Sequence, residues 1–172
     1  MKKIFRYILL SFALLILVAC GKKASEKAFD EKFKEVKEQV TKNEQINLES
    51  RELLGKIFDK ATYKVNKVEE NGDNSQLDVT IKAVNLKKYI DEVSAYLQAT
   101  TNPETTEEEI NKIAIEYFTE LLKNEKDLEI NETNIQIQMQ KVDGKWEIKN
   151  PEDLYIGLYG GNGEVKDLPD RN

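Results

Sequence analysis

The sequence predicts an α+β fold, an antiparallel sheet of about four strands packed against amphipathic helices. Three observations lead there. Two stretches alternate apolar and polar residues beside turn signals, at Glu70-Asn71-Gly72-Asp73-Asn74 and at Asp143-Gly144, which marks two hairpins. Other stretches repeat their apolar residues at helical spacing. The two kinds are grouped rather than strictly alternating, which favours an antiparallel sheet with helices on one face over a parallel one.

The elements follow in order. Phe29, Phe33, Val36 and Val40 recur at helical spacing over about 26–42, with Asp30/Lys34 and Glu38/Lys42 as i,i+4 pairs on the wet side. This narrow stripe suits a helix laid against a domain. A second helix, about 48–61, gathers Leu53, Leu54, Ile57, Phe58 and Ala61, weakened at Gly55. Tyr63, Val65 and Val68 then mark a strand. After the turn, Leu77, Val79, Ile81 and Ala83 alternate with Asp78, Thr80 and Lys82, one face buried and one wet.

Asn85 is placed to cap a helix over about 86–99 whose buried face is Leu86, Tyr89, Ile90, Val93 and Leu97. Asn102-Pro103 breaks it. Thr106 and Glu109 form a capping box for the next helix, with a face of Ile110, Ile113, Ala114, Tyr117, Phe118, Leu121 and Leu122. Ile135, Ile137 and Met139 return to period two, and Trp146 and Ile148 alternate after Asp143-Gly144. Asn150 and Pro151 open a short final helix containing Leu154 and Leu158, which Gly160-Gly161 ends.

Ahead of all this stand Lys2, Lys3 and Arg6, then an apolar run over 7–19 broken only by Ser11, then small residues flanking the chain's one cysteine. A basic head, a run shorter than the roughly 20 residues a bilayer span needs, and a small-residue processing site describe an export signal. The stretch Leu17-Val18-Ala19-Cys20-Gly21 resembles the lipobox of bacterial lipoproteins. That resemblance implies cleavage before Cys20 and acylation of its sulfur, where a plain signal peptide or an uncleaved anchor helix would leave the thiol free. A diacylglyceryl group supplies two acyl chains, and two are what lasting attachment requires. The expected organisation is a cleaved signal at 1–19, the lipidated Cys20 with a linker at 20–25, a single domain at 26–160 whose 26–47 part is a helical lead-in, and a loose tail at 161–172. Lys22 and Lys23 read equally as headgroup contacts or as solvated linker.

Residues 1–19 hold three of the 26 basic residues and none of the 32 acidic ones, so processing takes the net charge from −6 to −9. An acidic surface repels phosphate backbones, so nucleic acid is not an expected partner. The order of elements, with Lys145-Trp146-Glu147-Ile148 after Asp143-Gly144 and then Leu154 to Gly161, is similar to small NTF2-like or cystatin-like domains found on bacterial lipoproteins. The resemblance covers about residues 48–160 and implies a scaffold, not a function.

Catalytic chemistry finds little to work with. The chain has no histidine, which removes the commonest general base and metal ligand. Gly160-Gly161-Asn162-Gly163 lacks the Lys-Ser/Thr of a phosphate cradle. Glu107-Glu108-Glu109 suits a helix start; Asn71, Asp73 and Asn74 suit a turn better than a calcium loop. The sequon at Asn131-Glu132-Thr133 is read as incidental. No catalytic residue, metal site or cofactor is therefore expected. If the sheet curls as the resemblance implies, Tyr63, Tyr89, Tyr117 and Trp146 line a cone-shaped pocket for a small ligand; otherwise they fill the core. The expected function is a non-enzymatic binding or assembly module on the extracytoplasmic face of the cell membrane. It is held to the lipid bilayer through acylated Cys20, with an envelope protein or small molecule as its ligand. The alternative is an NTF2-like enzyme using a buried carboxylate, Asp78 or Glu147, with a tyrosine.

Overall fold

The computed structural model describes residues 21–44, 46–124, 126 and 128–161. Residues 1–20, with the stretch read as an export signal and Cys20, and residues 162–172, read as a loose tail, lie outside the described residues. Among the described residues the order is α1 (Ala24–Lys42), α2 (Leu48–Asp59), β1 (Thr62–Asn71), β2 (Asn74–Val84), α3 (Leu86–Thr100), α4 (Glu107–Lys123), β3 (Ile130–Val142), β4 (Lys145–Ile148) and α5 (Pro151–Leu158). The strands form one antiparallel sheet in the order β1-β2-β3-β4. The α+β expectation holds at that level.

Register follows the apolar pattern. Val79 pairs with Val65 on one side and Ile135 on the other, and Leu77 sits between Val68 and Ile137. Val65 and Val68 are three apart, yet both face the helices because the register shifts between Val65 and Lys67. One extra residue in a strand does this. The second hairpin turns through Asp143 and Gly144 at φ 50° and 81°, the pair of positive values a type I′ turn requires. The first turn is tighter than the pattern suggests, with strand pairing running to Asn71 and Asn74.

The helices cover one face of the sheet. α1 crosses β4 and β1, α5 lies on β3 and β2, and α2 packs on α1 and β2. Phe29, Phe33, Ile57, Phe58, Leu77, Val79, Ile81, Ile137, Met139 and Leu154 meet in a single core. α1 begins beside the two hairpins, where Ser25 meets Glu70 and Ser75. It ends at the other end of the sheet, where Lys37 Nζ donates to Ala61 O. Gly55, read as a weakness, is where α2 approaches α1: a Cβ there would stand 2.9 Å from Thr41 Cγ2.

Several expectations need correction. α1 starts inside the stretch read as linker, and Ser25 is fully buried. Asp30 pairs with Lys22 rather than with Lys34, while Glu38 does pair with Lys42. Ile90 is 45% exposed, and no residue on α4 is fully buried. α4 rests on α2 and α3, and α3 packs chiefly on α4, rather than on the sheet, so the apolar faces of both are only partly covered. Asn150 stands at the N-cap position of α5, with Pro151 after it, but its side chain caps no helix N–H. Its amide accepts from Gln138 N–H and donates to Gln136 O, both at 2.8 Å, standing in for a strand residue where β4 has ended.

Candidate functional site

A long-range polar arrangement that includes Tyr63 of the predicted site lies where the described chain enters the fold. The residue preceding α1, Lys23, offers no side-chain cap, so the first N–H groups of α1 lack a local acceptor. Glu70 on β1 supplies one. Its Oε2 accepts the Ser25 N–H at 3.3 Å and the Ser25 hydroxyl at 2.8 Å. The Ser75 hydroxyl donates in turn to Ser25 Oγ at 2.8 Å. A carboxylate at a helix N-terminus also meets the positive end of the helix dipole. Lys23 Nζ donates to Val68 O at 2.9 Å.

One turn further along α1, Asp30 accepts from Lys22 Nζ at 2.6 Å and from the Tyr63 hydroxyl. Burial pushes the Asp30 carboxyl up, but the Lys22 and Tyr63 hydrogen bonds outweigh it and hold the group below its ordinary value. Burial first, and then the bond it donates to Asp30, pushes the Tyr63 hydroxyl well up. Phe29 and Phe33 pack on the Tyr63 ring with centroids 5.2 and 4.5 Å away. Lys23 and Ser25 are thus fastened directly to β1, and Lys22 is fastened to Asp30, which the Tyr63 hydroxyl ties to the same strand.

The four aromatic residues read as pocket-lining are spread through the fold. Tyr63 on β1 and Trp146 on β4 occupy opposite edge strands. Tyr63 also borders an open hollow with Phe33, Lys34, Lys37 and Asp59. Tyr89 on α3 is buried, and its hydroxyl accepts from Glu129 N–H at 2.7 Å. Tyr117 on α4 donates to Glu92 at 2.7 Å; burial, and then that carboxylate, pushes its hydroxyl up to about 12. Trp146 is buried, its Nε1 has no acceptor among the described residues, and Lys141 Nζ sits over its ring at 5.8 Å. Cys20 lies outside the described residues.

The two carboxylates named for the enzyme alternative, Asp78 and Glu147, are not buried. Asp78 is on the sheet face away from the helices, bonded by Gln136 Nε2 at 3.3 Å, and Glu147 is exposed. Glu109 closes the capping box with Thr106, whose backbone N–H and hydroxyl hold its carboxyl below the ordinary value. Asn131 of the sequon donates to Gly160 O at 2.7 Å. Among the described residues no group of three or more His, Cys, Asp or Glu is placed to hold a metal ion, and no helix is long and apolar enough to cross a membrane.

The Ser25–Glu70–Ser75 chain went unread in the sequence. One signal was present. Carrying the β2 alternation back from Leu77 points Ser75 inward, and a small hydroxyl on a buried face needs a partner.

A family described as a domain of unknown function, DUF5105, matches residues 20–159. A solved structure of a "putative lipoprotein (ycdA)" from Bacillus subtilis subsp. subtilis str. 168 is similar over 75% of this chain and 45% of its own length, at 17% identity and a TM-score of 0.40. The chain therefore spans less than half of that protein. No curated protein matches the chain.

Proposed function

The chain belongs to the DUF5105 family, and from that premise we propose that it is a lipoprotein of the cell membrane whose domain is a non-enzymatic binding or assembly module facing outward. One observation carries the reading. Leu17-Val18-Ala19-Cys20 follows a basic head and an apolar run of export length, and the folded body starts within four residues of that cysteine, at Ala24. A body set this near the lipid acts at the membrane surface. The NTF2-like or cystatin-like scaffold is part of the same proposal. It draws support from the β3–β4 hairpin with Trp146 and from α5 folding back over β3. The place of Asp78 on the open sheet face supports binding over catalysis, since a catalytic carboxylate works best inside a pocket.

The test is incorporation of a clickable palmitate analogue into the wild-type chain and Cys20→Ala, read with membrane fractionation. The expected result is labelling and membrane retention of the wild type only. A Cys20→Ala chain that is processed and still membrane-bound would overturn the proposal.

A further inference from the structure

We propose that the two hairpin tips, residues 71–74 and 142–145, rest on the lipid headgroups, so that the body stands with α3 and α4 pointing away from the membrane. This rests on the lipidation of Cys20 proposed above.

Three features of the fold carry it. The first is where the chain enters. Ser25 is fully buried against Glu70 and Ser75, and those residues lie at the hairpin end of the sheet, next to the Asn71↔Asn74 pair. The second hairpin ends there too, since Lys141 N–H donates to Asp73 O at 2.8 Å. Cys20 precedes Ala24 by four residues, which bridge at most about 14 Å. The tether is therefore short and attached beside both tips. Lys22 and Lys23 are already bound to Asp30 and to Val68 O, which shortens its free length further.

The second feature is where the rest of the molecule goes. α1 has 19 residues and so runs about 28 Å away from the entry point. α3 leaves the sheet after Val84 and α4 returns to it before Ile130, a pair that faces each other across β2 and β3 at the far end. The first turn of α4 with Glu107 and Glu108 shares a hollow with Asn47 and Glu49 at the start of α2, just after α1 has ended at Lys42.

The third is charge. Residues 86–123 carry eight carboxylates against four lysines, so this far part repels an anionic bilayer. At the tips, Asp73 and Asp143 are offset by Lys141 and Lys145, and the exposed Val142 lies between those two lysines. A body lying on its side would bring the acid-rich helices to the lipid; standing on its tips keeps them clear.

The experiment uses the full lipidated chain in vesicles of phosphatidylglycerol and phosphatidylcholine containing brominated lipid. Acylation leaves Cys20 without a free thiol, so Val142→Cys and Tyr96→Cys each accept one bimane label. Tyr96 is exposed on α3. Quenching several-fold stronger at position 142 than at 96 is the expected result. Equal quenching, or stronger quenching at 96, overturns the orientation. The mass of Cys20 is measured in the same samples: a lipidated chain with equal quenching defeats the orientation alone, and an unlipidated chain defeats the anchoring on which it rests.

Discussion

Glu70 caps α1 from outside the helix, accepting both the N–H and the hydroxyl of Ser25 across 45 residues of sequence. The bond ties the first turn of α1 to the tip of the first hairpin. Ser75 completes it from β2, through a hydroxyl that is almost fully buried.

Ser25→Ala removes the link between Ser75 and Glu70. It leaves the buried Ser75 hydroxyl without an acceptor, at a cost of about 1–3 kcal/mol. Ser25→Ala/Ser75→Ala discards the orphan along with its partner and is expected to cost less than the two single changes added together. Urea unfolding of the four chains forms the double-mutant cycle that checks it.

Tyr63→Phe keeps the ring among Phe29 and Phe33 but removes the donor to Asp30. Asp30 has a lowered carboxyl in the fold, so its contribution is present above its ordinary value of 3.8 and fades as pH falls through and below that value. The Tyr63 hydroxyl is raised, so its contribution is present below its ordinary value of 10.0 and fades as pH rises beyond that. The stability gap between wild type and Tyr63→Phe is therefore expected to be widest between these values and to narrow on both sides. Urea midpoints across pH 3 to 11 test it, a range set by those two shifts.

Gly160 ends α5 at φ 68°, and a Cβ there would lie 2.5 Å from Val84 O. Backbone cannot yield as a side-chain tip can. Gly160→Ala is expected to cost more than the roughly 1–2 kcal/mol of left-handed strain alone. Gly161→Ala, whose nearest neighbour would be an ordinary 3.6 Å away, is expected to stay within about 0.5 kcal/mol of wild type. Thermal unfolding of the pair separates the two.

Trp146 fills space on β4 without using its Nε1. Trp146→Phe gives up some volume and removes a buried donor that has no acceptor among the described residues. It is expected to cost under about 1.5 kcal/mol, against about 3–5 kcal/mol for Trp146→Ala. Denaturant unfolding of both variants decides the matter.

Much of the fold was legible because its signals act over a few residues. The Asp143-Gly144 turn, the Thr106–Glu109 capping box and the β2 alternation depend on neighbours within one turn or one strand, and each forms where the pattern places it. Less of the candidate site was legible. Asn150 has the residue type of a cap, yet open backbone groups on β3 hold its amide. α4 has the most regular apolar face in the chain, but only the packing of α2 and α3 determines how much of it is covered.

The reading of residues 1–20 as an export signal ending at a lipobox-like cysteine comes from the sequence alone, because its pattern of basic head, apolar run and small residues is local. Tertiary structure decided what the residues just after it do. Lys22, Lys23 and Ser25 have a linker's composition, but they become part of the domain once Asp30, Val68 and Glu70 are brought beside them. Lys22 reaches Asp30 within the same stretch, but Lys23 and Val68, and Ser25 and Glu70, each 45 residues apart, meet only through the packing of α1 on β1, which no periodicity within either segment encodes.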